Sequence, residues 1–128
     1  MGLKYVLDTN TCLYFLNQTL TEEGFILVGS AIDRSEAALS VITQMELLGF
    51  AFRSIEEERI TEQFVADLHT LPLSDRIVRQ TIAIRKSRKI KLPDAIIAAT
   101  ALAHDCALVT RNVSDFSAIE GLKVINPF

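Results

Sequence analysis

The chain has 128 residues, the size of one domain (1–128) with a core of its own. Its composition, 49% hydrophobic and 23% charged, excludes a chain that is disordered as its main state, and no apolar run approaches the ~18 residues of a bilayer span. The opening MGLKYVLDTN has no long apolar stretch followed by a small-residue cleavage site, so no secretory leader is expected, and the net charge of −3 argues against a general nucleic-acid binder.

Lys4–Leu7 (KYVL) predicts a short strand ending at Asp8. A helix follows, with Asp8 or Thr9 as cap and Leu13, Phe15 and Leu16 as its apolar positions. Thr19–Gly24 is expected to be a loop and Phe25–Arg34 a second helix, with Phe25, Val28, Ala31 and Ile32 on one side. Ala37–Val41 is a second strand. Ile42–Phe52 is an apolar helix with Thr43 a candidate cap. Ile55–Leu68 is amphipathic, with Ile60, Phe64, Val65 and Leu68 inward. Leu71–Leu73 is a brief strand, and Ser74 or Asp75 caps the next helix. Pro93 suits the first turn of a further helix, DAIIAATALAHD. Leu108–Val109 and Lys123–Ile125 are the last strands. Apolar strands alternating with helices specify an α/β fold with a buried, mostly parallel sheet, whose ligands sit at the carboxyl ends of the strands. Two cysteines, Cys12 and Cys106, lack metal-ligand spacing and are too few for a disulfide scaffold. They are expected as buried free thiols in a reducing cytoplasm.

Charge is unevenly spread. Arg76, Arg79, Arg85, Lys86, Arg88, Lys89 and Lys91 form a run with no acid, while the rest of the chain holds six basic residues and all 16 acidic ones. Such a run is either a solvated helix face or an attractor for a polyanion.

Four acids stand where chemistry is done. Asp8 follows the first strand, at the ligand-binding edge, although a helix cap needs an aspartate there too. Glu46 shares a helical face with Ile42 and Phe50. A semi-buried carboxylate so placed needs a cation or donor, whereas one at the edge of the stripe reaches solvent. Asp94 lies in the first turn of an apolar helix, where the helix dipole alone favours it. Asp115 follows the LVT strand among turn formers. Together, oxygen donors without His or Cys select a hard cation, Mg²⁺ or Mn²⁺. No rival constellation exists: His69 and His104 are far apart, and neither GxGxxG nor GxxxxGK[ST] occurs.

VLDTN at 6–10, SVITQMELLGF at 40–50, LPDAIIAATAL at 92–102, LVTRN at 108–112, DF at 115–116 and GLKVINP at 121–127 occur in this order across essentially the whole chain. The sequence thereby resembles the PIN-domain ribonucleases, specifically the VapC-like toxins of type II (VapBC) toxin–antitoxin systems. The resemblance implies a PIN-domain fold, a short mostly parallel sheet with helices on both sides, and an acidic cleft holding Mg²⁺ or Mn²⁺. It carries the catalytic and metal-binding quartet onto Asp8, Glu46, Asp94 and Asp115, and supporting roles onto Thr9, Thr110 and Asn112. It implies an endoribonuclease that hydrolyses RNA with metal-activated water, leaving 5′-phosphate and 3′-hydroxyl ends. It also implies a cognate VapB-type antitoxin, a homodimer whose candidate surfaces are Phe25–Arg34 and Ile42–Phe52, and transfer or ribosomal RNA as substrate. In that setting Arg85, Lys86, Arg88, Lys89 and Lys91 become candidates for RNA-backbone contact. With no Trp, and with most Phe on core faces, no base-stacking platform is evident.

Two other classes are weighed. A receiver-type Mg²⁺ switch needs an acidic pair after the first strand and a lysine after the last inner one, and the chain has one acid and Arg111 at those places. A non-catalytic metal- or partner-binding module with an acidic docking cleft differs from the enzyme in one respect: it keeps its biological effect when Asp94 is replaced by alanine.

Overall fold

The computed structural model describes residues 2–49 and 51–128. Five strands, β1 (Tyr5–Leu7), β2 (Ala37–Ser40), β3 (His69–Leu71), β4 (Ala107–Val109) and β5 (Val124–Ile125), form one sheet in the order β3-β2-β1-β4-β5. Every neighbouring pair is parallel. Among the described residues seven helices connect them: α1 (Thr9–Leu16), α2 (Glu22–Asp33), α3 (Val41–Leu48), α4 (Ile55–Ala66), α5 (Asp75–Ser87), α6 (Leu92–Ala103) and α7 (Val113–Phe116). None of them is long and apolar enough to cross a membrane.

Strand alternation splits the core into two layers. Val6, Ala38 and Leu108 face α5 and α6, against Ile77, Ile84, Ala95 and Ile97. Leu7, Leu39 and Val109 face the other way, against Cys12, Val28, Leu47, Phe64 and Val65. The sheet is therefore covered on both sides, which is why β1, β4 and β5 are apolar and β2 carries only Ser40 besides, whereas the edge strand β3 opens on His69 and Thr70. Helix α6 is buried all round from Ala95 to Ala101, so its small alanines set how closely it lies on the sheet. Both cysteines are free and buried. Burial, and then the charge of Asp8, push the Cys12 thiol well up, so it stays protonated and unreactive.

Several boundaries differ from expectation, each for a local reason. Helix α2 begins at Glu22, inside the expected loop, because the Thr21 hydroxyl accepts from the Gly24 amide (3.1 Å). Its polar first turn carries no apolar periodicity. Helix α3 is capped by Ser40, which accepts from Ile42 N (3.1 Å), and it ends at Leu48 rather than Phe52. Phe50 lies outside the described residues. Helix α4 stops at Ala66, and Ile60 is 53% exposed rather than inward. Strand β3 lies two residues earlier than expected because Pro72 has no N–H with which to continue the ladder, and Leu73 is exposed. Residues 113–116 make a short helix where turn formers had suggested a turn.

The chain runs outward from β1 through β2 to β3, then returns to lay β4 against the other side of β1. That reversal opens a crevice at the carboxyl ends of β1 and β4. Leu7 is in register with Val109, so Asp8 and Thr110 are the next residues along the two strands.

Candidate active site

Asp8 sits in this crevice with little freedom. Its amide donates to Val109 O (3.2 Å), and its carboxylate Oδ1 accepts from the Thr11 amide (2.8 Å), capping α1. Thr11 ties the same turn to β4 by donating to Val109 O (3.0 Å). Only one carboxylate oxygen is used by the cap, so the structural and the chemical readings of Asp8 are compatible.

Thr9 does for α3 what Thr11 does for β4. Its hydroxyl donates to Glu46 Oε1 (2.5 Å) and lies 3.0 Å from the Thr43 hydroxyl. Thr43 is fully buried and is not a helix cap. Glu46 is exposed rather than semi-buried. Helix α3 ends two residues after it, so no further helical turn covers it.

Asp94 is in the first turn of α6, after Lys91 as cap and Pro93. It is half-buried, and burial pushes its carboxyl above the ordinary value of 3.8. The charges of Asp8, Glu46 and Asp115 push the same way, and only Lys91 opposes them. Asp94 therefore feels all three other acids.

Asp115 lies in α7 and is exposed; Asn112 Nδ2 donates to its Oδ2 (2.6 Å). Thr110 is fully buried, and its hydroxyl accepts from the Asn112 amide (3.0 Å), fixing the turn out of β4. Among the described residues no three Asp, Glu, His or Cys side chains are drawn close enough to enclose an ion. Three of the acids are each tied by one hydrogen bond, Asp8 from the Thr11 amide, Glu46 from the Thr9 hydroxyl and Asp115 from the Asn112 side-chain amide. Among the described residues no ion pair closes on them: Lys91 opposes their charge only from a distance, and the described ion pairs are Lys4–Glu36 and Arg53–Glu57, both at 3.0 Å and both elsewhere. An all-oxygen acidic set that no described ion pair closes fits a hard divalent cation better than an ion-pair network.

Arg85, Arg88, Lys89 and Lys91 line a cleft of about 720 Å³ together with Asp94, Asn112 and Asp115. Lys86 faces a neighbouring hollow with Thr81, Ile82 and Leu92. Arg88 also donates to Ala118 O (3.1 Å), which anchors the run to the segment after α7. His69 and His104 are exposed and outside the clefts at the crevice.

Sequence reasoning passed over one group. A second cleft, about 270 Å³, is lined by Asp8, Asn10, Tyr14, Arg111 and Asn112. The Arg111 guanidinium carbon lies 4.1 Å from the Phe128 ring centroid and 5.8 Å from that of Tyr14. The two rings meet edge to face at 5.0 Å. The three residues are far apart in sequence, so no local pattern announces the stack. Arg111, the middle residue of the TRN segment, is the one visible signal.

The PIN-domain family model matches residues 5–122. A tRNA(fMet)-specific endonuclease VapC of Salmonella typhimurium is 29% identical, over 95% of this chain and 96% of the relative. One of the same description from Shigella flexneri is 28% identical, over 94% and 96%. Among solved structures, a toxin–antitoxin complex from Klebsiella pneumoniae superposes with a TM-score of 0.76 at 31% identity, covering 98% of each chain. DNA-bound VapBC from Salmonella typhimurium gives 0.82 at 28% identity, over 98% of this chain and 99% of the other.

Proposed function

The chain belongs to the PIN-domain nuclease family, and on that premise we propose that it is a divalent-cation-dependent endoribonuclease, the toxin of a VapBC-type toxin–antitoxin pair. The observation that carries the reading is the convergence on Asp94 of the charges of Asp8, Glu46 and Asp115, opposed by Lys91 alone and closed by no described ion pair. Asp8, Glu46 and Asp94, with Asp115 completing the set, would hold Mg²⁺ or Mn²⁺. When bound, the cation supplies charge inversion toward phosphate, an acidified water, and stabilisation of the phosphorane and leaving oxygens.

The chain's own residues orient the reaction. The α1 cap fixes the Asp8 carboxylate, and the Thr9 hydroxyl aims Glu46. Thr110 and Asn112 hold the turn that carries Asp115. Arg85, Arg88, Lys89 and Lys91 lead the RNA backbone toward Asp94. Attack by water leaves a 5′-phosphate and a 3′-hydroxyl and needs no 2′-hydroxyl nucleophile. Transfer RNA is the preferred substrate class, since both curated relatives are described as tRNA(fMet)-specific. A VapB-type antitoxin is the proposed partner, since the structural relatives include VapBC and another toxin–antitoxin complex. The family resemblance makes a homodimer the proposed assembly.

The test is cleavage of total RNA by the purified, antitoxin-free chain with Mg²⁺, Mn²⁺ or EDTA, beside Asp8→Asn and Asp94→Asn. Discrete cuts bearing 5′-phosphates are expected, lost in EDTA and in both variants. Intact RNA after incubation with folded, cation-loaded protein overturns the nuclease and leaves a docking cleft.

A further inference from the structure

We infer that Arg111 and Tyr14, with Phe128 backing the guanidinium, form a stacking site for one unpaired nucleobase of the RNA, beside the bond to be cut. The inference rests on the ribonuclease reading above and names how that enzyme holds its substrate.

Four features of the stack support this. First, it is built rigidly. The Phe128 amide donates to Asn126 Oδ1 (3.0 Å), and Pro127 is buried with its carbonyl accepting from the Thr21 hydroxyl (3.4 Å). That carbonyl occupies the space where a side chain at position 24 would begin, so Gly24 is what lets the 126–128 segment lie on α2. The Phe128 ring, which does not itself line the cleft, thus backs the Arg111 guanidinium before any ligand arrives, which lowers the ordering cost of binding.

Second, the stack is not buried for packing alone. Phe128 is 38% exposed and Arg111 is exposed. A guanidinium plane over an aromatic face offers the kind of surface on which RNA-binding proteins stack bases.

Third, the charge of Arg111 is not spent. Asp8 lines the same cleft, yet no described ion pair joins the two.

Fourth, the place fits. The two clefts share Asn112, and three of the four acids border them: Asp8 this one, Asp94 and Asp115 the basic one, while Glu46 lines neither. A strand with its backbone on Arg85, Arg88, Lys89 and Lys91 and a phosphate at the acids carries its next base toward Arg111. About 270 Å³ lies below the ~300–1,000 Å³ of sites for drug-sized ligands and suits one ring system. The Asn10 amide, which lines this cleft, is available to the edge of that base.

Binding is read without cutting in an Asp94→Asn background, with Mg²⁺, on short single-stranded RNAs that each carry 2-aminopurine at one position. Its fluorescence falls on stacking. Quenching is expected at one position relative to the cut. Phe128→Leu and Arg111→Lys should each abolish the quench and raise Kd roughly 5- to 150-fold, with unfolding midpoints unchanged. Arg111→Lys keeps the charge, so an unaltered quench and Kd in both variants overturns the site. A loss of quench that appears only alongside a lowered unfolding midpoint makes the stack a structural latch, and overturns it as well. Cutting of the same RNAs by the chain with Asp94 intact judges the parent reading separately. Cutting without a quench at any position removes the stacking site and keeps the nuclease. A quench without cutting removes the nuclease and keeps a base-binding cleft.

Discussion

Asp94 shows how one side chain can carry opposite values for folding and for function. Its carboxyl is raised by burial and by three neighbouring acids, so the folded chain holds that proton more tightly than the unfolded chain does. Folding is then linked to proton uptake, and stability from this group falls as pH rises from 3.8 through the raised folded value. In EDTA at neutral pH, Asp94→Asn should therefore raise the unfolding midpoint. The gain should vanish below the ordinary carboxylate range, where Asp94 is neutral in both states. Adding Mn²⁺ should reverse the order at neutral pH, because only the native carboxylate gains full ligand stabilisation. Thermal melts of the two proteins across pH, with and without cation, decide this; equal midpoints at every pH refute it. Asp8, Asp94 and Asp115 were legible as acids at strand ends and helix starts. Of the two readings of Glu46 the solvent-reaching one holds, because a buried 42/46/50 stripe presumes a helix that continues and α3 stops at Leu48.

At the scale of elements, caps decide where helices start and backbone chemistry decides where strands stop. Thr21, Ser40, Ser54 and Ser74 each accept from an amide in the first turn that follows. Thr43 could be mistaken for one of them because a threonine inside a helix and a threonine at its start look alike in sequence; only its partner, Thr9 on another helix, separates the roles. The basic half of α5 and the loop after it illustrate a different ambiguity. A run of Lys and Arg is compatible with a solvated face, and what alters that reading is the shared cleft with Asp94 and Asp115. If Arg85 and Lys89 contact phosphates, Arg85→Gln with Lys89→Gln should reduce the slope of log K against log salt by roughly 1.4 for single-stranded RNA. Titrations at several salt concentrations measure it, and an unchanged slope returns the run to solvent.

At the scale of the molecule, the sheet is the ruler on which the site is laid out. Leu108 is fully buried at the middle of β4, between the registers with Val6 and Val124. Leu108→Ala removes packing from one whole layer and should cost about 2–5 kcal/mol in urea unfolding. Because Asp8 N and Thr11 Oγ1 both bond to the adjacent Val109 carbonyl, the damage should also reach the crevice. Cation-dependent cleavage is expected to fall in the folded fraction of this variant, and full retention would show that β4 does not set the position of Asp8.

The layered α/β architecture was legible in the chain alone, since apolar strands covered on both faces leave few other solutions, and so were the positions of Asp8 and Asp94, since a carboxylate after a strand or at a helix start is a local signal. Which distant groups meet follows from how the elements pack. Thr9 reaches Glu46 across 37 positions, and Arg111 reaches Phe128 because Gly24 admits the Pro127 carbonyl. Periodicity reports which face of an element is buried. Contacts between exposed side chains of different elements depend on the packing of those elements, and no local pattern encodes them.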